Sequence, residues 1–125
     1  MTQSKDALTW FEIPAADLSR ATRFYEAVLG NKLKSETMGP KELAIFPYTQ
    51  PGVGGCLIAG GGQTPAVTGT VIYLAVSNEL DDALDRVKGA GGKIALPKTA
   101  LPEGMGVFAH VIDSEGNRVG LHALK

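Results

Sequence analysis

Histidine and cysteine are nearly absent from this sequence: His110, His122 and Cys56 are the only three in 125 residues. A single cysteine excludes an intramolecular disulfide and fits a reducing compartment. No His-x₃-His or Cys-x₂-Cys spacing occurs, so no local metal motif is present. Neither sign of charge dominates, since 12 Lys and Arg stand against 13 Asp and Glu for a net charge of −1. That balance gives no electrostatic basis for nucleic acid or an anionic membrane as partner. No stretch approaches the ~20 apolar residues of a membrane span. Met1–Asp6 lacks the apolar core of a signal peptide. A cytoplasmic protein is expected.

Glycine, by contrast, is plentiful. Sixteen occur, with clusters at Gly52, Gly54, Gly55, at Gly60–Gly62 and at Gly89, Gly91, Gly92. A phosphate loop requires strand, glycine turn and helix N-terminus in that order, usually with a lysine. Neither of the first two clusters runs straight into a helix and no Gly-Lys-Ser/Thr is present, so these read as turns and linker. The 44% hydrophobic and 20% charged content is that of an ordinary folded chain with room for one domain.

Periodicity divides the chain into two similar halves. Leu8–Pro14 alternates Trp10 and Glu12 against Phe11 and Ile13, the period of a strand. Asp17 offers an N-cap to a helix carrying Leu18, Ala21, Phe24/Tyr25 and Val28/Leu29, and Gly30 is placed to end it. Strands follow at about Lys32–Met38, Lys41–Pro47 and Gly54–Ala59. A glycine- and proline-containing stretch, residues 60–69, reads as a linker. The pattern then restarts: a strand Val71–Val76, then a helix capped by Asn78 with Leu80, Ala83, Leu84 and Val87, stopped at Gly91-Gly92. Lys93–Leu96, Gly106–Asp113 and Asn117–Ala123 close the second half, the last two joined by the hairpin turn Asp113-Ser114-Glu115-Gly116. Ile13 and Ala15 match Leu74 and Val76, while Leu18, Ala21 and Gly30 match Leu80, Ala83 and Gly92, the mark of an internal duplication. The fold class expected is α+β: two tandem βαβββ modules, about 8–59 and 70–124, in one domain spanning 1–125. They would form a curved mixed sheet around a cleft, with helices on the outer face.

Two βαβββ modules in so short a chain resemble the vicinal oxygen chelate superfamily, which includes glyoxalases, bleomycin-resistance proteins and extradiol dioxygenases. Asp17–Gly30, with its Phe24-Tyr25 and closing Leu29-Gly30, is similar to that family's first helix. Asp113-Ser114-Glu115-Gly116 with Asn117–Leu121 is similar to its last hairpin. The resemblance implies a metal held by His or Glu on the first and last strands of both modules. Carried over by register, those positions fall on Trp10, on Cys56 or Leu57, on Val71 and on Gly120. An indole, an alkyl chain and a bare backbone supply no ligand lone pairs, and one thiolate makes no coordination sphere. No metal and no other cofactor is therefore expected.

Two-residue alternation places Glu12 on the face of Trp10, Tyr73 on that of Val71, and His122 on that of Gly120. Trp10, Glu12, Tyr73 and His122 are the candidate ligand-binding residues, and Glu12, Tyr73 and His122 the candidate acid–base groups. The plainer reading leaves Glu12 and His122 in solvent at the sheet rim and lets Trp10 and Tyr73 merely pack. His110 reads as a structural histidine and Cys56 as buried and inert. The function expected is a glyoxalase-like small-molecule binder, or a metal-independent enzyme, with a cleft for an apolar or aromatic compound. The alternative is a metal-dependent lyase, epimerase or dioxygenase with displaced ligands. The resemblance further implies a homodimer in which modules of two chains finish the cleft.

Overall fold

The computed structural model describes residues 6–125, so the terminal stretch read for a signal core lies, except for Asp6, outside the described residues. Each half folds as a βαβββ module. The first comprises β1 (Trp10–Pro14), α1 (Leu18–Leu29), β2 (Lys34–Met38), β3 (Lys41–Ile45) and β4 (Gly54–Ala59). The second comprises β5 (Tyr73–Ala75), α2 (Leu80–Val87), β6 (Lys93–Ala100), β7 (Val107–Ile112) and β8 (Arg118–Ala123). Each module has its own four-stranded mixed sheet, ordered β1-β4-β3-β2 and β5-β8-β7-β6. In both, the first strand runs parallel to the last and sits at the sheet edge.

The sequence explains why α1 forms where it does. The Asp17 carboxylate accepts from the Arg20 amide at 3.0 Å, satisfying a free helix donor. Gly30 adopts φ +79°, and its N–H closes the helix onto the Glu26 carbonyl. Ala21, Phe24, Tyr25 and Val28, at the spacing of one helical face, are all buried. They join Leu57, Leu80, Ala83, Val87, Val111 and Leu121 in a core that runs through both modules. Arg86 of α2 donates to the carbonyls of Ala27 and Val28, so one helix caps the C-terminus of the other.

Three local expectations need correction. α2 is not capped by Asn78. Glu79 holds the cap position without a side-chain bond, and the Leu80 amide instead donates to the Lys125 carbonyl at 2.8 Å. At its other end the expected glycine pair does close α2: Gly91 adopts φ +105°, and the Gly91 and Gly92 amides donate to the Lys88 and Val87 carbonyls. β5 pairs only over Tyr73–Ala75, which leaves Val71 before the paired strand. β6 reaches Ala100, well past Leu96, but its register slips on either side of Leu96. Pro97 follows Leu96 and has no N–H for the ladder, which suits such an irregular edge strand.

The turn after β7 does more than reverse the chain. The buried carboxylate of Asp113 accepts four hydrogen bonds: from the Tyr25 hydroxyl at 2.6 Å, the Asn117 side-chain amide at 3.0 Å, and the backbone amides of Glu115 and Asn117 at 2.8 and 2.9 Å. Asn117 also donates to the Pro14 carbonyl at 2.7 Å and accepts from the Ala66 amide. Glu115 accepts from the Asp17 amide and takes a bidentate pair from Arg20 at 2.6 and 2.9 Å. The second module's turn thus grips the first module's helix and the end of β1.

The Arg20 guanidinium, with the Asp17 amide and Ser114 hydroxyl, holds the Glu115 carboxyl down at about 2. An ordinary glutamate in the unfolded chain titrates near ~4.3. Because the folded value is the lower one, this stabilisation is complete above ~4.3 and is lost as the pH falls toward 2. Urea midpoints measured from pH 5 to pH 2 should fall more steeply for the wild type than for Glu115→Gln; equal slopes would contradict the clamp. Asp113→Ala strands several buried donors and should cost about 3 kcal/mol in the same assay at pH 7.

Candidate functional site

One face of each sheet is packed against the helices. The opposite, open face carries the candidate residues Trp10, Glu12, Tyr73 and His122. In the first module the pairs Trp10↔Gly54 and Glu12↔Cys56 set Trp10, Glu12, Gly54, Cys56 and Ile58 on the open face, while Leu57 points into the core. The last-strand register is thereby settled at Cys56. Trp10 stays 38% exposed and meets Tyr48 edge-on at 6.1 Å between ring centroids. Glu12 accepts from the Gln63 amide at 3.1 Å, so the inter-module segment reaches over this face. Cys56 is fully buried with Leu43 and Ile58, and burial followed by the nearby Glu12 charge pushes its thiol up to about 11. A thiol so protonated and covered is a poor nucleophile.

In the second module the pairs Tyr73↔Gly120↔His110 line up across three neighbouring strands, with Phe108↔His122 one step along. Tyr73 is 51% exposed, and its hydroxyl lies 2.7 Å from His110 Nε2. The other ring nitrogen, Nδ1, lies 3.1 Å from Arg118 Nη1. Phe108 stands 5.9 Å from both the Tyr73 and His110 rings, edge-on to the first and tilted to the second. Burial, then the Arg118 charge, moves the His110 pKa below the ordinary histidine range. His122 Nε2 donates to the Met105 carbonyl at 2.6 Å.

Glycines on these faces are covered by aromatic rings. The Tyr73 ring lies over Gly120 where a Cβ would stand. Gly54 is covered in the same way by the Tyr48 ring. Each glycine lets its own tyrosine lie flat on the sheet.

The four candidate residues are not gathered into one cavity of the single chain. Tyr73 lines a crevice of about 270 Å³ where β1 and β5 approach, with Phe11, Leu29, Phe46, Gly55 and Ile72. Trp10 lines a separate hollow with Tyr48, and Glu12 another beside Arg118. Glu12, Tyr73 and His122 each bond a different partner and none bonds another of the three. Sequence reasoning missed Tyr48, Phe108, His110 and Arg118. The last three were within reach: counting outward from the Asp113–Gly116 turn pairs Ile112 with Arg118, His110 with Gly120 and Phe108 with His122.

The family model for the Glyoxalase/Bleomycin resistance protein/Dioxygenase superfamily matches residues 7–121, and the chain belongs to that superfamily. No curated protein matches the sequence significantly. Among solved structures, a glyoxalase I variant from Zea mays superposes with a TM-score of 0.72 at 23% identity, over 99% of this chain and 48% of that one. The present chain therefore spans about half the length of the plant enzyme. TnmS3, an antibiotic-binding protein from a Streptomyces species, gives 0.71 at 18% identity with 98% of each chain covered. FosX, a fosfomycin resistance protein from Listeria monocytogenes, gives 0.64 at 19% identity, over 96% of this chain and 94% of that one. At such identities these matches speak for the fold.

The metal that the family implies does not fit the residues present. Trp10 and Gly120 bring no donor atoms, Val71 precedes its strand, and Cys56 is a buried neutral thiol. Among the described residues, no three His, Cys, Asp or Glu side chains come together to hold an ion. Metal analysis after dialysis without chelator is expected to find no stoichiometric zinc, nickel, iron or manganese. A stoichiometric ion lost on Glu12→Ala or His122→Ala would contradict this.

Proposed function

We propose that this chain is a metal-independent small-molecule-binding protein that takes an apolar or aromatic compound against its open sheet faces. Trp10, Glu12, Tyr73 and His122 line the cleft in this reading. The observation that carries it is the aromatic surface on each open face: Trp10 beside Tyr48 over Gly54, and Tyr73 beside Phe108 over Gly120. Exposed rings with a few fixed polar groups suit a flat apolar compound, since they supply contact area at little entropic cost. The antibiotic-binding and fosfomycin-resistance neighbours, each matched over nearly the whole of both chains, support a binding role. The separation of Glu12, Tyr73 and His122, each held by another group, favours binding over a catalytic triad of those residues.

A homodimer belongs to the same reading. Trp10, Glu12 and Tyr73 are divided among separate hollows in one chain, none of which His122 lines, and a second copy would face one open sheet with another. A cytoplasmic location fits the free, buried cysteine. No helix among the described residues is long and apolar enough to cross a membrane.

Trp10 is the sole tryptophan and is therefore a built-in reporter. Titration with 8-anilinonaphthalene-1-sulfonate should change Trp10 emission saturably, and Trp10→Ala should weaken binding about tenfold, the effect of ~1.4 kcal/mol of lost aromatic contact. Binding without any change in Trp10 emission would place the ligand elsewhere. Sedimentation at micromolar concentration should give twice the chain mass; a monomer would contradict the shared cleft.

A further inference from the structure

Three residues on the open face of the second module form a hydrogen-bond chain with a fixed direction. Tyr73 and His110 both pair with Gly120 from opposite sides of β8. With no side chain between them, the phenol lies across Gly120 and meets His110 Nε2 at 2.7 Å. Arg118, two residues earlier on β8, brings Nη1 to His110 Nδ1 at 3.1 Å, and its Nε donates to the Val67 carbonyl at 3.3 Å. The guanidinium is thus anchored at two points.

A guanidinium can only donate. Nδ1 must therefore offer a lone pair, and a neutral imidazole then carries its proton on Nε2. The partner of that proton is the Tyr73 oxygen, which accepts it. The tyrosine keeps its own proton for something else. We infer that the Arg118–His110–Tyr73 chain makes the Tyr73 hydroxyl a one-way donor, which selects aromatic ligands bearing a carbonyl or oxyanion oxygen. The half-exposed ring of Tyr73 and its neighbour Phe108 supply the flat apolar contact around that donor. Burial and the Arg118 charge both favour the neutral imidazole on which the chain depends. His122 likewise bears a proton on Nε2, which it donates to the Met105 carbonyl.

This specificity rests on the aromatic-compound reading above, and one pair of probes separates the two. 9-Fluorenone and fluorene share a planar tricycle and differ in one carbonyl oxygen. Equilibrium dialysis should give fluorenone about tenfold tighter binding, the worth of one net hydrogen bond in a dry site. Tyr73→Phe should bind both equally. Nitrogen-15 NMR of the imidazole should find His110 protonated at Nε2 at neutral pH. Arg118→Met should release it to the other tautomer and reduce the fluorenone preference, and Arg118→Lys, which still donates, should restore both. Equal affinities in the wild type, a preference that survives Tyr73→Phe, or a proton on Nδ1 would overturn the inference. Absence of binding by both probes, with the Nε2 tautomer present, would overturn the aromatic-compound reading and uphold the donor chain.

Discussion

The two modules are held to one another by a carboxylate. Asp113 lies buried in the last hairpin turn, and its four acceptor bonds reach Tyr25 of the first helix, Asn117 of the next strand, and two backbone amides of its own turn. A buried charge is costly unless its hydrogen-bonding capacity is filled, and here it is. Asn117 extends the grip to the end of β1, and Glu115 extends it to the N-terminus of α1 through Arg20. The hydrophobic core continues through both modules beneath this network, but apolar contact alone is tolerant of sliding. Directional bonds to a fixed turn are not, so the relative placement of the two sheets follows from this cluster.

That constraint has a consequence for the site. With helices and core consuming one face of each sheet, the candidate site residues stand on the other face, and the strands that begin each module lie at the sheet edges. On the first open face a tyrosine lies over a glycine beside tryptophan, and on the second a tyrosine lies over a glycine beside phenylalanine. The positions onto which the superfamily's metal ligands carry over by register hold an indole, a thiol, a valine outside the paired strand and a glycine. What the face retains is aromatic surface with two histidines held in definite orientations.

Much of this was legible in the sequence because it is local. α1 announces itself by Asp17, Gly30 and a single apolar stripe between them, and the structure realises all three. The duplication, the two modules and the final hairpin follow from period and turn chemistry. Less visible was anything that depends on a distant partner. Tyr25 reads as one more apolar residue of a helical stripe, yet its hydroxyl meets Asp113 across 88 positions of chain. The cap of α2 comes from the Lys125 carbonyl, which no local motif encodes. At the site, strand alternation placed Tyr73 and His122 on faces but said nothing of neighbours. The bond from Tyr73 to His110 arises only once β5 and β7 flank a glycine of β8, a relation of three strands rather than of any one.

The proposed metal-free aromatic site with its directed tyrosine donor would be visible directly in a crystal. The protein should be purified from cell extract without added ligand and crystallised. The account predicts density for a flat organic molecule against the Tyr73 and Phe108 rings, with an oxygen atom within hydrogen-bond distance of the Tyr73 hydroxyl. A coordinated metal ion bridging Glu12 and His122, with Tyr73 turned away from it, would contradict the account.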